Sequence, residues 1–375
     1  MWHTDDFFFT NQNSPNAMPV KFKNVGHAGL FDHEENKAKL SNLGNPLEKL
    51  GNAIDFEMFR PELEKHMLNH DKKSNAGCKP HDVVRMFKLV LLKRFYNLSD
   101  EQAEYQATDR LSFREFLGLS SGDRVPDSRT LWLFQDKLVR MGLEKKLFDT
   151  FHAYLNTLGV ILNEGKIVDA SFVEVPRQRN TKEENAKIKE GSGAELWADK
   201  PRKQCQKDVD ARWTKKNNET HYGYKNHVKM DAKSKLIDTY HVTPANVHDS
   251  QVVSPLLAPG DKGQAFHADS AYVGGEIEKT LVEKGLIPQI IERAFRGKPL
   301  TDEQKALNRV KSKIRCRIEH VFGFVTNSMG DFYVRTIGSF RAKGVVGLIN
   351  LVYNMCRYEQ IFRLKLFPIP GLKTP

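Results

Sequence analysis

The feature of this sequence that most constrains its fold is a change in hydrophobic periodicity at Gly165. From about residue 81 to residue 158, apolar residues recur at three- and four-residue spacing, which is typical of amphipathic helices. Residues 166–175 are instead rich in β-branched side chains and lie between Gly165 and Pro176, which predicts a strand. The sequence therefore predicts a helical region followed by a region that contains a β-sheet.

Later segments complete an α/β pattern. Further strands are predicted at about 222–230, 236–242 and 264–270, with a short helix from Asp249 before the last of them. A possible strand at 288–291 precedes a long helix, which begins with the capping box of Thr301 and Gln304 and should bury Val310, Ile314, Ile318 and Phe322. This order is that of the ribonuclease-H-like fold. We therefore predict an α/β protein in which an all-α helical domain precedes a ribonuclease-H-like core, a mixed sheet flanked by helices.

Domain boundaries follow from the same patterns. Residues 1–78 are predicted to be an N-terminal region of unclear role, residues 79–160 a helical domain, and residues 161–365 the α/β domain. Residues 176–216 are dense in charge and poor in apolar side chains, which predicts an exposed basic insertion. In the helical domain, short helices precede a longer one that begins near Ser128. This order is found both in helix-turn-helix DNA-binding modules and in ordinary helical bundles.

Charge and cysteine content narrow the function classes. The formal net charge of +11 favours a polyanionic partner such as nucleic acid, although many basic proteins bind none. The four cysteines form no C-x-x-C pair, which argues against a zinc ribbon and fits a reducing compartment. No apolar run reaches the roughly 18 residues of a membrane span, and the N-terminus lacks a secretory pattern. We expect a cytoplasmic, nucleoid-associated protein with no membrane contact.

Three acidic residues stand among apolar neighbours on three different predicted elements. Asp169 lies in the middle of the first strand, Asp269 ends the fourth strand, and Glu319 lies near the apolar stripe of the long helix. Each alone has an ordinary explanation, as a solvated strand end, a helix cap or a surface glutamate. Together, and in this order, they suit phosphodiester chemistry, in which two divalent cations stabilise the attacking and leaving oxygens. Mg²⁺, with Mn²⁺ as a substitute, prefers such oxygen ligands.

Basic residues surround these acids in the sequence. Between residues 293 and 317 there are nine Lys or Arg residues and two acids. Lys311, Arg315 and Glu319 follow at four-residue spacing, so they should share about one helix face, beside which a DNA phosphate would lie. The residues predicted to contact DNA are Arg315, Arg317, Lys311, Lys225 and, in the helical domain, Arg129. The histidines at 227, 248 and 267 lie singly on different elements, so no zinc site is predicted.

Five short motifs resemble those of a known family: residues 167–170 (IVDA), 222–225 (YGYK), 246–249 (NVHD), 268–272 (ADSAY) and 314–320 (IRCRIEH). Together with residues 96–100 and 126–130, they resemble the DDE transposases of bacterial insertion sequences. The resemblance is strongest to the insertion-sequence-five family of the insertion-sequence-four superfamily, and it covers about residues 80–360. It implies that Asp169, Asp269 and Glu319 bind metal and that Arg315 is the arginine of the family's Y-R-E-K signature. Ser312 and Thr326 replace the signature tyrosine and lysine, which the resemblance links to handling of the transposon end.

The resemblance implies an activity as well as a site. A transposase of this kind would bind the terminal inverted repeats of an insertion sequence, cleave at its ends and join the 3′-hydroxyl ends to target DNA. It would act as a homodimer on double-stranded DNA, with two Mg²⁺ ions in each active site. Two alternatives remain from the residues alone: a ribonuclease-H-like endonuclease without strand transfer, and a DNA-binding repressor that has lost catalysis.

Overall fold

The structure is a computed structural model that describes residues 29–68, 79–120, 122–216 and 218–371. Of the N-terminal region predicted at 1–78, residues 1–28 and 69–78 therefore lie outside the described residues. The chain divides into two compact units, Met1–Leu43 and Gly44–Pro375. The described part of the first unit holds the helix α1 (Asp32–Asn42), none of whose residues is buried.

The second unit begins with helices, as the periodicity predicts. Local capping explains where several of them begin. The Ser99 hydroxyl accepts a hydrogen bond from the backbone N–H of Gln102, and the side chain of Gln102 accepts one from the backbone N–H of Ser99. Asp127 accepts from the backbone of Thr130. In the described residues these helices are α2 (Pro46–Ala53), α3 (Arg60–Met67), α4 (Val83–Phe95), α5 (Asp100–Asp109), α6 (Leu111–Leu117), α7 (Ser128–Arg140) and α8 (Leu143–Thr157).

A mixed sheet follows the helices, which confirms the predicted α/β class. Its strands are β1 (Lys166–Glu174), β2 (Arg212–Lys216), β3 (Glu219–Asp231), β4 (Ile237–Pro244), β5 (Ala265–Ala268) and β6 (Ile287–Ile290). The long strand β3 pairs antiparallel with β1 on one side, and with β2 and β4 on the other. On the far side of β1, β5 and β6 continue the sheet in parallel. The strand β1 therefore lies in the middle of the sheet.

Residues 176–216 differ from the predicted exposed insertion. They contain α9 (Lys182–Lys189), α10 (Pro201–Gln204) and the sheet strand β2, and the side chains of Ile188 and Trp197 are buried. Asp208 is also buried, where it accepts hydrogen bonds from the Tyr224 hydroxyl at 2.8 Å and from the backbone of Gly338 at 3.0 Å. A few buried side chains thus pack this charged segment against the rest of the fold, although its composition is that of a surface loop.

The long helix predicted after Thr301 is two helices. The capping box of Thr301 and Gln304 is confirmed, but α13 (Asp302–Arg315) ends at a short 3₁₀ turn, after which α14 (Glu319–Ser328) begins. The predicted burial of Val310 is wrong, since this side chain is 60% exposed, whereas Ile318 is buried. The reason is that α13 turns polar side chains towards the sheet. Arg315, for example, reaches a carboxylate on β1.

The remaining helices cover the two faces of the sheet. Buried side chains of α11 (Val253–Leu256) and α12 (Gly275–Glu283) form a core with β5 on one face. A larger core joins the other face to the helices before residue 160 and to the last helix, α15 (Ser339–Leu364). A Cβ atom at Gly344 would lie 2.4 Å from Val139, and one at Gly347 would lie 2.4 Å from the Tyr240 hydroxyl, so α15 approaches its neighbours closely because these positions are glycine. Among the described residues, no helix has both the length and the apolar character needed to cross a membrane.

Candidate active site

Sheet pairing brings two of the three predicted acids together. Asp169 is buried on β1, and Asp269 directly follows β5, the parallel neighbour of β1. Ile167 pairs with His267, and each acid lies two residues beyond this pair, close enough for the charge of Asp269 to raise the pKa of Asp169. Asp269 also caps the turn that follows, because its carboxylate accepts a hydrogen bond from the backbone of Ala271 at 2.9 Å.

Glu319 lies at the break between α13 and α14, where Arg315 links it to Asp169. Arg315 is the last residue of α13 and Glu319 the first of α14. One guanidinium joins the two acids: Arg315 Nη1 donates to Asp169 Oδ2 at 2.8 Å, and Nη2 donates to Glu319 Oε1 at 3.1 Å. The structure therefore places Asp169, Glu319 and Arg315 in direct contact, with Asp269 on the adjacent strand.

Burial makes the Asp169 carboxyl a weaker acid than usual. Loss of hydration raises its pKa from the ordinary 3.8 to about 6, and the negative charges of Asp269 and Glu319 act in the same direction. The backbone N–H of Ala170 and the charge of Arg315 lower the pKa only in part. The site thus holds a carboxylate whose ionised form lacks sufficient compensating charge.

Divalent metal ions, which this type of acidic site implies, fit the chemistry of the donor set. Asp169, Asp269 and Glu319 would supply hard oxygen ligands, and the Arg315 guanidinium is paired with two of them, Asp169 and Glu319. The side chains do not converge on one point: within the described residues, no group of three or more His, Cys, Asp or Glu stands ready to hold a metal ion. Metal binding would therefore require Arg315 to leave the space between Asp169 and Glu319.

The other predicted DNA contacts occupy different settings. Lys311 donates to the carbonyl of Ile290 at the end of β6, at 2.9 Å, and Arg317 donates to the carbonyl of Ala232 at 3.0 Å. Arg129 is exposed in the first turn of α7. Lys311 therefore contacts the end of β6 and Arg317 the turn after β3, whereas Arg129 belongs to the helical part. Contact of any of them with DNA stays a prediction.

Lys225 takes part in a polar cluster on the β3 strand. Its amine donates to Asp249 at 2.9 Å and to the carbonyl of Val247 at 2.8 Å. The neighbouring His227 has no exposed surface and contacts the Thr243 hydroxyl at 2.8 Å. Burial lowers the pKa of His227 to about 4, so this imidazole stays neutral near pH 7. The charge of Lys225 is already paired with Asp249, so Lys225 would reach DNA only by breaking this ion pair.

A cavity that the sequence did not predict opens beside Asp269. Its volume is about 360 Å³, and its lining residues come from three separate segments: His248, Ser250, Asp269, Ser270, Ala271, Val273, Arg293 and Phe295. The only sequence signals were the N-V-H-D motif, which contains His248, and the run of basic residues that starts at Arg293. The grouping itself depends on contacts between distant segments.

Comparison with known proteins gives the family that this chain resembles. Residues 162–355 match the family described as "Transposase DDE domain", and residues 34–137 match "Transposase domain (DUF772)". Among solved structures, a cryo-EM structure of the piggyBac transposase synaptic complex with hairpin DNA is similar to this chain. That similarity has a TM-score of 0.45 and 12% sequence identity over 88% of this chain and 78% of the other.

Proposed function

Because this chain belongs to the DDE transposase family, we propose that it moves a DNA element with Asp169, Asp269 and Glu319 as its catalytic acids. The observation that carries this proposal is the shared contact of Asp169 and Glu319 with Arg315, beside Asp269 on the next strand. These acids come from three distant parts of the chain: Asp169 lies on β1, Asp269 follows β5, and Arg315 links Glu319 to Asp169. Burial raises the pKa of the Asp169 carboxyl to about 6, and shifts of this kind cluster at functional sites.

The residues of the cluster would divide the work. Two bound Mg²⁺ ions would supply charge stabilisation at the attacking and leaving oxygens of the phosphodiester. Asp169 is the most buried of the three acids and sits on a central strand, so it would fix the position of the site. Arg315, once it leaves Asp169 and Glu319, would carry its charge to a phosphate of the DNA. The positive charge of Arg315 would thus neutralise the acids before DNA binds and a DNA phosphate afterwards.

The finer identity of the protein extends this proposal. We infer a transposase of the insertion-sequence-five family, with a ribonuclease-H-like core at 161–365 and a helix-turn-helix-like DNA-binding domain at 79–160. It would act as a homodimer on the terminal inverted repeats and then join the 3′-hydroxyl ends to target DNA. Arg129, Lys225, Lys311 and Arg317 would contribute contacts to the DNA backbone, which fix position more than sequence.

Single replacements of the acids test the proposal. Alanine at Asp169, Asp269 or Glu319 should abolish cleavage and joining but preserve DNA binding, since binding depends mainly on Lys and Arg contacts to phosphate. Asp302→Ala is the matched control, because this acid is fully exposed at the start of α13 and lies outside the cluster. A variant of the three that still cut DNA at the wild-type rate would remove that acid from the proposed triad.

Metal dependence and reaction products separate the alternatives. Mg²⁺ or Mn²⁺ should support cleavage, whereas Ca²⁺ should permit binding with little cleavage and EDTA should stop the reaction. DNA carrying the ends of the element, incubated with a target plasmid, should yield joined products. Cleavage without joining would indicate an endonuclease, and binding without cleavage would indicate a repressor.

A further inference from the structure

The turn after α4 is joined to the loop that follows α14, residues 329–338. Asn97 makes the connection: its side-chain nitrogen donates to the carbonyl of Gly330 at 2.6 Å, and its side-chain oxygen accepts from Arg335 Nη1 at 2.6 Å. The guanidinium carbon of Arg335 also lies 5.6 Å from the centre of the Tyr333 ring. Two contacts therefore orient the exposed side chain of Arg335, and its other guanidinium nitrogens donate to no group in the part of the chain that the structure describes.

A second arginine, Arg94 near the end of α4, lies close to this one and lacks a partner. Its Nε and Nη2 atoms are buried, and neither has a hydrogen-bond acceptor among the described residues. The hydroxyl of Thr336, next to Arg335, is buried without a partner as well. Burial lowers the pKa of Arg94 to about 10, and the charge of Arg335 acts in the same direction, while the charge of Asp100 opposes it. Arg94 therefore stays protonated near pH 7 as a poorly compensated cation.

The nearby acids do not neutralise the two arginines. Asp100 accepts a hydrogen bond from the buried amine of Lys93 at 2.5 Å, so its charge is already paired. Asp331, in the loop itself, accepts from the backbone N–H of Phe332 at 2.7 Å, and over the described ranges it forms no ion pair with either arginine. Two like charges thus stay close together, which is unfavourable unless an anion joins them.

We propose that this corner binds one phosphate group between Arg94 and Arg335. A phosphate carries the opposite charge and has enough acceptor oxygens to take hydrogen bonds from both guanidinium groups. Arg94 is half-buried as a residue, so its unpartnered nitrogens lie close to the surface. The hydroxyl of Thr336 would supply one further donor.

The position of the corner makes the DNA backbone one source of this phosphate. The loop is joined to the end of β1, where the backbone N–H of Val334 donates to the carbonyl of Glu174 at 2.9 Å. Glu174 lies five residues beyond Asp169, which is about 16 Å along an extended strand. A DNA strand at the proposed active site would thus have a phosphate within reach of the corner, and free phosphate offers the same chemistry. Only the DNA source rests on the proposed function.

Thermal unfolding with inorganic phosphate tests the site without DNA. Sodium phosphate is compared with sodium chloride at equal ionic strength, because phosphate ions also stabilise proteins in general. Phosphate should raise the melting temperature of the wild type in a saturable manner, and Arg335→Gln should weaken the apparent phosphate affinity at least about tenfold. Arg202→Gln, at an exposed arginine on α10, is the matched control and should behave as the wild type.

Arg94→Met tests the buried charge. Methionine keeps much of the length and the apolar contact of arginine but carries no charge. In buffer without phosphate this variant should melt at a higher temperature than the wild type, because a poorly compensated buried charge is removed. Added phosphate should then no longer stabilise it. A lower melting temperature of Arg94→Met in that buffer, or a saturable phosphate effect that persists in both variants, would overturn the inference.

Binding of a DNA duplex in EDTA identifies the source of the phosphate. If the DNA backbone occupies the corner, Arg335→Gln should reduce the log–log slope of DNA affinity against salt by about one. An unchanged slope together with a saturable phosphate effect assigns the corner to free phosphate. If Arg335→Gln alters neither measurement, the phosphate site is refuted. A wild type that does not cleave DNA would refute the proposed function instead and would leave the phosphate measurements unaffected.

Discussion

Replacing Asp169 by Asn should make the metal-free protein more stable at alkaline pH, even though it removes a proposed catalytic group. Burial raises the pKa of this carboxyl from 3.8 to about 6 in the folded protein. At roughly 1.4 kcal/mol for each pKa unit, keeping it ionised costs about 3 kcal/mol of folding free energy at pH 8. That cost already includes the attraction to Arg315, which lowers the pKa. Asparagine has nearly the same shape and carries no charge, so it should recover most of the cost.

The pH dependence fixes the sign of this prediction. Because the folded pKa is the higher one, the cost is absent below about pH 4, grows as the pH rises through about 6, and is complete above it. Urea unfolding in EDTA at about pH 4 and pH 8 should therefore show no difference between the variants at the lower pH and a more stable Asp169→Asn at the higher one. Added Mg²⁺ should stabilise the wild type and leave Asp169→Asn nearly unchanged.

A carboxyl of opposite character provides the control. Burial raises the pKa of Asp136, but hydrogen bonds from Arg140 and Arg341 outweigh it and hold the pKa below its ordinary value. Its ionised form therefore stabilises the fold at neutral pH, and Asp136→Asn should be less stable than the wild type at pH 8. If Asp169→Asn were destabilised in the same way as Asp136→Asn, the ion pair with Arg315, rather than burial, would dominate at Asp169, and the reasoning would be refuted.

Three further changes probe other parts of the structure. Arg315→Gln should tighten Mg²⁺ binding about tenfold in the absence of DNA. The reason is that a metal would no longer displace charge-assisted hydrogen bonds, which are worth about 1.4 kcal/mol. An unchanged Mg²⁺ affinity in calorimetry would contradict this. Thr326→Lys adds a cation to the exposed side of α14, so DNA affinity should fall more steeply with salt by about one unit of log–log slope, and an unaltered slope would show that position 326 does not face DNA. Gly344→Ala should lower the unfolding free energy by about 1–3 kcal/mol, because the steric clash with Val139 outweighs the roughly 1 kcal/mol that alanine gains over glycine in a helix. A raised melting temperature would show that the helix propensity outweighs the clash.

Local signals explain which parts of the fold the sequence predicts well. Capping boxes at Ser99 and Thr301 depend on residues three positions apart, and the predicted helix starts are confirmed at both. The strand β1 carries its own pattern of β-branched residues between glycine and proline. The break after Arg315 has no such signal, since neither glycine nor proline occurs there. It accompanies a contact with Asp169, which lies 146 residues earlier in the chain.

Burial of charged residues was harder to predict for the same reason. The segment around Asp208 looks like an exposed loop, yet this acid is buried because Tyr224 and the backbone of Gly338 donate to it. The cavity that contains Arg293 and Phe295 likewise forms only when three segments meet. Composition reports the average environment of a segment, whereas single long-range hydrogen bonds determine these positions.

The position of α15 has a consequence for synthesis of the protein. This helix lies at the end of the described chain, yet its side chains complete the core shared by the sheet and the helices before residue 160. During translation, those helices emerge from the ribosome long before the helix that covers their apolar faces. A product that stopped before residue 339 would therefore expose much of this core and be open to proteolysis. Premature termination would therefore yield material for degradation, and a stable shortened protein would not accumulate.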